Sequence, residues 1–123
     1  MRLVLPSIAL AGLMWLGAGT VSTVEAASFN CARAASPTER AICGNRALED
    51  RDVEMATIFG LIRPVFAMGA RGAFMDDQNA WLVQRNRCGA DTACLRRRYD
   101  ERIAVLRHSY RTNVLAQTDL YRP

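Results

Sequence analysis

Four cysteines, Cys31, Cys43, Cys88 and Cys94, constrain this chain more than any other feature. Their spacings, C-x11-C and C-x5-C, are not the C-x2-C knuckles of zinc sites, and His108 is the only imidazole. Neither C-x-x-C nor C-x-x-C-H occurs, so a dithiol redox centre and haem attachment are not expected either. An even cysteine count in a short exported domain reads as two disulfides. Four cysteines allow three pairings. Cys31–Cys43 with Cys88–Cys94 is preferred, because each pair spans a short helix start or a tight turn, and a Cys43–Cys88 bridge is the alternative. Loop closure puts each short ring at roughly 2–3 kcal/mol.

The disulfide reading depends on export, and the first 26 residues supply it. Arg2 precedes an apolar run from Leu3 to Leu16, broken by Pro6, Ser7 and Gly12, and a small, polar stretch follows. Val24-Glu25-Ala26 fits a small-x-small cleavage pattern, which places the cut after Ala26. A spanning helix needs about 20 predominantly apolar residues, and this run is shorter. Leu13 stands where a lipoprotein would need its cysteine. The expectation is therefore a signal peptide over 1–26 and one domain over 27–123, periplasmic or secreted, without stable membrane insertion. Cleavage leaves 123 − 26 = 97 residues, and loss of Arg2 and Glu25 keeps the net charge at 15 − 11 = +4. A domain so small buries little of its surface and often needs covalent help.

Apolar periodicity predicts an all-α fold of about four helices, stapled by disulfides, with no strand. Ser36-Pro37-Thr38-Glu39 reads as a helix start, with Ser36 as N-cap, and this short helix ends near Cys43. A second helix is expected from Ala47 to Ile62, with Leu48, Met55, Ile58, Phe59 and Ile62 on one face. Met68-Gly69-Ala70-Arg71-Gly72 reads as a loop, which places the third helix from Ala73 to Arg87, with Gly89 as C-cap glycine. A fourth, capped by Asp91 or Thr92, is expected from Ala93 to Ala116 along Leu95, Tyr99, Ile103, Leu106, Tyr110 and Val114. The short Cys88–Cys94 connection makes the last two antiparallel neighbours. Gln117 to Pro123 reads as a loose tail.

The chemistry-bearing residues are few. All sixteen basic residues are arginine, which removes Schiff-base and phosphate-loop lysine chemistry. Arg96-Arg97-Arg98 would be partly neutralised by Asp100 and Glu101 one turn on, and no nucleic-acid reader motif accompanies it. Asp76 and Asp77 diverge by about 100° on a helix and read as charges in the first turn of the third helix. His108 reads as a surface histidine. No nucleophile, base and oxyanion site assemble, so neither an enzyme nor a cofactor is expected. Trp81, Tyr99, Phe74 and Tyr110 have core-like spacing, and Arg85 lies one turn from Trp81, as a binding hot spot or an internal partner.

These residues also carry a resemblance. Ser28-Phe29-Asn30-Cys31 and Ser36-Pro37-Thr38-Glu39-Arg40-Ala41-Ile42-Cys43, then Asp52, Met55 and Phe59, then Trp81-Leu82-x-x-Arg85 up to Cys88, and Cys94 up to Tyr99-x-x-Arg102-Ile103, resemble the N-terminal domain of LprI-type lysozyme inhibitors. The likeness covers about Ser28 to Arg107; Phe59 stands for a usual tyrosine and Arg51 for a usual leucine. It implies a small, helical, disulfide-bonded exported domain. The expected role is a protein-binding module of the lysozyme-inhibitor type, and the alternative is a structural or envelope-stress module that binds another envelope protein or peptidoglycan. Common lysozymes are strongly basic, and like charge slows association, so a +4 domain needs a local acidic patch to dock on one. Glu49, Asp50, Asp52 and Glu54 on the second helix are the expected patch, with Arg85 as a further candidate contact.

Overall fold

The computed structural model describes residues 27–119, and the expected leader with its cut after Ala26 lies outside them. The described chain is all-α, with no strand. A one-turn 3-10 helix at Cys31–Arg33 leads into α1 (Pro37–Cys43), α2 (Arg46–Ile62), a second 3-10 turn at Arg63–Val65, α3 (Met68–Asn86) and α4 (Thr92–Tyr110). A π turn, Arg111–Leu115, joins α4 to the short α5 (Ala116–Asp119). Both preferred disulfides are formed, Cys31–Cys43 and Cys88–Cys94.

The expected caps Ser36 and Asp91 act as their chemistry requires, and Asn45 adds one that the sequence reading did not assign. Ser36 Oγ accepts from Glu39 N, and the Glu39 carboxylate accepts from Ser36 N, closing a capping box around α1. Asn45 caps α2, and Asp91 caps α4 through Cys94 N. Gly89 has φ +56°, the left-handed conformation that lets the chain leave α3 and re-enter α4 within a few residues.

α2 forms the centre. Asp52, Met55 and Phe59 meet Arg85, Gln78 and Phe74 in reverse order, so α3 runs antiparallel to α2. Asp52 and Glu54 meet Tyr99 and Arg107 in forward order, so α4 runs parallel to it. Leu48, Met55 and Ile62 of α2 bury against Leu95, Tyr99, Ile103 and Leu106 of α4. Near the start of the bundle, Ile42 of α1 joins this core. Thr38, also buried, places its hydroxyl 3.0 Å from Gly89 O, docking α1 on the α3–α4 turn.

Three expectations are corrected. Met68 to Gly72 is not a loop but the first turns of α3. Glycine costs a helix about 1 kcal/mol relative to alanine, and two of them argued against it. Tertiary contacts decide otherwise: Phe74 stacks on Phe59 at 4.8 Å and tilts against Phe66 at 5.1 Å. Arg71 Nη2 also donates to Phe66 O at 3.0 Å, tying the helix to the preceding turn. Asp76 and Asp77 consequently lie in mid-helix rather than in a first turn. At the other end, Gln117 to Asp119 continue the helical path instead of forming a loose tail, and the rest of that expected tail, 120–123, lies outside the described residues.

Candidate functional site

Besides Thr38, four polar side chains, Asp52, Gln78, Arg85 and Arg102, are buried where an apolar residue would be ordinary. Asp52 shares a face of α2 with Leu48, Met55 and Phe59, and it is fully buried. Its Oδ2 accepts Ser28 N at 2.7 Å, and its Oδ1 accepts the Tyr99 hydroxyl at 2.8 Å. Arg85, also buried, donates from Nη1 to the same hydroxyl at 3.0 Å and stands 3.6 Å from Asp52. Tyr99 thus accepts from the cation and donates to the anion. Burial, and then the negative charge of Asp52, push its pKa well above the ordinary phenol value, so it remains a proton donor.

A second cation lies one turn further along α4. Arg102 Nε donates to Gln78 Oε1 at 3.0 Å and Nη1 to Asp77 Oδ2 at 2.6 Å. Gln78 passes the contact to α2 by donating from Nε2 to Met55 Sδ at 3.0 Å. Between the two arginines lies Trp81, its ring centroid 5.8 Å from the Arg85 guanidinium carbon and 6.0 Å from that of Arg102. Tyr99 meets the same ring edge-on at 5.4 Å. Cation–π attraction in this partly desolvated setting is worth about 1–2 kcal/mol per pair. Trp81 Nε1 and Arg102 Nη2 have no hydrogen-bond partner among the described residues, so the cluster is held by packing and charge as much as by hydrogen bonds.

This frame floors an open groove of about 400 Å³ between α2 and α3. Phe29, Met55, Phe59, Met75 and Leu82 form its walls, with Glu39 and Asn79 also bordering it. Its size lies within the usual range of binding pockets, roughly 300–1,000 Å³. The Ser28–Asp52 bond and the Cys31–Cys43 bridge hold the N-terminal segment, and with it Phe29, in the groove wall.

The expected docking patch takes a different form. Glu49, Asp50 and Glu54 lie at the surface of α2, but Asp52 is removed from any docking face by its burial. Asp50 pairs with Arg46 at 3.0 Å, Glu54 pairs with Arg107, and Arg51 reaches Asp100 at 2.7 Å. These surround a second groove of about 420 Å³ between α2 and α4 whose charges alternate. The Arg96–Asp100 and Arg97–Glu101 pairs expected on α4 give way to Arg51–Asp100 and Arg98–Glu101. Arg85 is an internal partner, not a surface hot spot. Tyr99, Arg102 and Ile103 are buried, whereas Trp81 and Leu82 are half-buried; His108 is exposed.

Among the described residues, no three His, Cys, Asp or Glu side chains gather as metal ligands would. None of the described helices is long and apolar enough to cross a membrane. Comparison of the chain with family models, curated proteins and solved structures gives no match.

Proposed function

We propose that this chain is an exported protein-binding module of the lysozyme-inhibitor type, acting by occupying a partner rather than by chemistry on it. The observation that carries the reading is the α2–α3 groove. It is a concave, apolar-walled surface on a domain whose N-terminal segment and α3–α4 turn are clamped by two disulfides and whose interior holds a buried Asp52–Tyr99–Arg85 cluster. A surface already ordered before binding loses little entropy on association, which suits a small inhibitor. The disulfides are compatible with an oxidising compartment, as export requires.

The test is lysis of cell-wall substrate by several lysozymes, with the oxidised protein in stoichiometric excess. Slowed lysis by at least one is expected, and unchanged lysis by all of them removes the reading. A second reading, a structural or envelope-stress module bound to another envelope protein or to peptidoglycan, draws support from Arg33, Arg96 and Arg97. These have no ion pair among the described residues and could face an anionic polymer. Sedimentation with purified sacculi, without any effect on lysozyme, would favour that alternative.

A further inference from the structure

Three concave surfaces differ in what they can hold. The α2–α4 groove is walled by charges already matched, Arg51 to Asp100 and Glu54 to Arg107. A partner there would exchange one set of surface pairs for another, at little net gain. A small apolar hollow of about 160 Å³ near Ile58, Leu61 and Tyr110 has room for little more than one side chain. The α2–α3 groove matches the α2–α4 groove in size, but its walls combine two methionines, two phenylalanines and a leucine. Unbranched thioether side chains adapt to varied apolar shapes, a property of surfaces that accept protein side chains. Among these apolar wall residues Met75 is the one left open to solvent, at 41% exposure.

The charge at this groove is opposite to that of the molecule. Three ionisable residues border it, Glu39, Asp52 and Arg85. Asp52 and Arg85 are buried as a pair and cancel. Glu39 remains. Its Oε2 accepts from both Ala35 N and Ser36 N. A carboxylate therefore stands at the edge of an apolar seat, on a chain of net charge +4. The complement is an apolar group with a cation beside it.

We infer that the α2–α3 groove seats an apolar anchor side chain from a basic partner protein, and that a neighbouring Arg or Lys of the partner meets Glu39. This rests on the reading of the chain as a protein-binding module, and it moves the docking surface from the paired acids of α2 to the opposite side of that helix. Buried anchors surrounded by a polar rim carry most of the energy in such interfaces.

The test is selection from a library of random dodecapeptides displayed on phage against the immobilised oxidised protein. Enrichment of peptides that place Phe, Trp, Leu or Met beside Arg or Lys is expected. Met75→Arg, at an exposed position, should weaken their capture by roughly tenfold, the loss of one modest anchor contact. Asn79→Arg, on an exposed residue of the same wall, provides a second block should the first variant lose its wild-type melting curve. Glu39→Gln keeps a side chain compatible with the capping box. It should abolish the preference for a flanking cation while leaving the apolar preference. No enrichment, enrichment of acidic peptides, or capture unchanged in both blocking variants overturns the assignment. Running the lysis assay in parallel separates the two proposals. Peptide capture without inhibition keeps the groove and rejects the lysozyme reading. Inhibition that survives both blocking substitutions keeps the lysozyme reading and rejects the groove.

Discussion

The carboxylate of Asp52 joins four parts of the molecule: the N-terminal segment through Ser28, α4 through Tyr99, α3 through Arg85, and α2 itself. Asp52→Asn leaves the Arg85 guanidinium buried without its counter-charge, and the expected loss is about 3–5 kcal/mol. Urea unfolding at an unchanged m value measures it, and a loss under about 1 kcal/mol would show that water reaches the pair. Tyr99→Phe removes the hydroxyl between the two charges and should cost about 1–3 kcal/mol. The two substitutions share one network, so the double variant should lose less than the sum. Asp52 reads as a surface acid because Glu49, Asp50 and Glu54 surround it. Its position was legible all the same: Leu48, Asp52, Met55 and Phe59 recur at spacings of 4, 3 and 4, the inward stripe of a helix. Phe74, Gln78, Trp81 and Arg85 repeat the pattern on α3. A polar residue on an apolar stripe is the signal for a buried network, though not for its partners, which depend on how the helices meet.

At the scale of elements, caps and turns follow from local chemistry and were legible from a few residues, whereas the start of α3 was not. Gly69 and Gly72 oppose helix locally, and only the contacts of Phe74 and Arg71 reverse the balance. Each glycine has open space where a Cβ would stand. Gly69→Ala and Gly72→Ala should therefore each stabilise the protein by about 0.5–1 kcal/mol, read as a raised melting temperature. Gly89→Ala should do the reverse by about 1 kcal/mol, because its positive φ strains any side chain even though space is free. Unchanged melting in all three would mean that the α3 termini fray. For α1 the expectation concerns pH. Hydrogen bonds from the Ser36 and then the Ala35 backbone N–H hold the Glu39 carboxyl below its ordinary pKa. A group depressed in the folded state stabilises above its unfolded value and ceases to as pH falls through the folded one. The stability advantage of the native protein over Glu39→Gln should thus be present at neutral pH and shrink below about pH 4.3. An advantage that grows on acidification would contradict the cap geometry.

At the scale of the molecule, the two disulfides close short rings at different places and should act differently. The core between α2 and α4 lies outside both rings, so each bridge secures an attachment to it. Cys88–Cys94 shortens the freedom of the α3–α4 turn, whereas Cys31–Cys43 pins the segment that carries Ser28 and Phe29 onto the groove. Loop-closure entropy assigns roughly 3 kcal/mol to the ring of sequence separation 12 and roughly 2 kcal/mol to that of separation 6. Together these approach the whole stability of a marginal small domain, so full reduction should leave the chain largely unfolded. The paired variants separate the two roles. Replacing Cys88 and Cys94 by serine should lower stability and leave the Ser28 amide protected from hydrogen exchange, because Asp52 still accepts it. Replacing Cys31 and Cys43 should lower stability further and free that amide. It should also remove Phe29 from the groove wall and weaken capture of the selected peptides. Equal loss of Ser28 protection in both pairs would show that the N-terminal segment is held by global folding and not by its own bridge. Protection retained in both would leave the Asp52 hydrogen bond as a sufficient anchor, with the Cys31–Cys43 bridge acting on the unfolded chain alone.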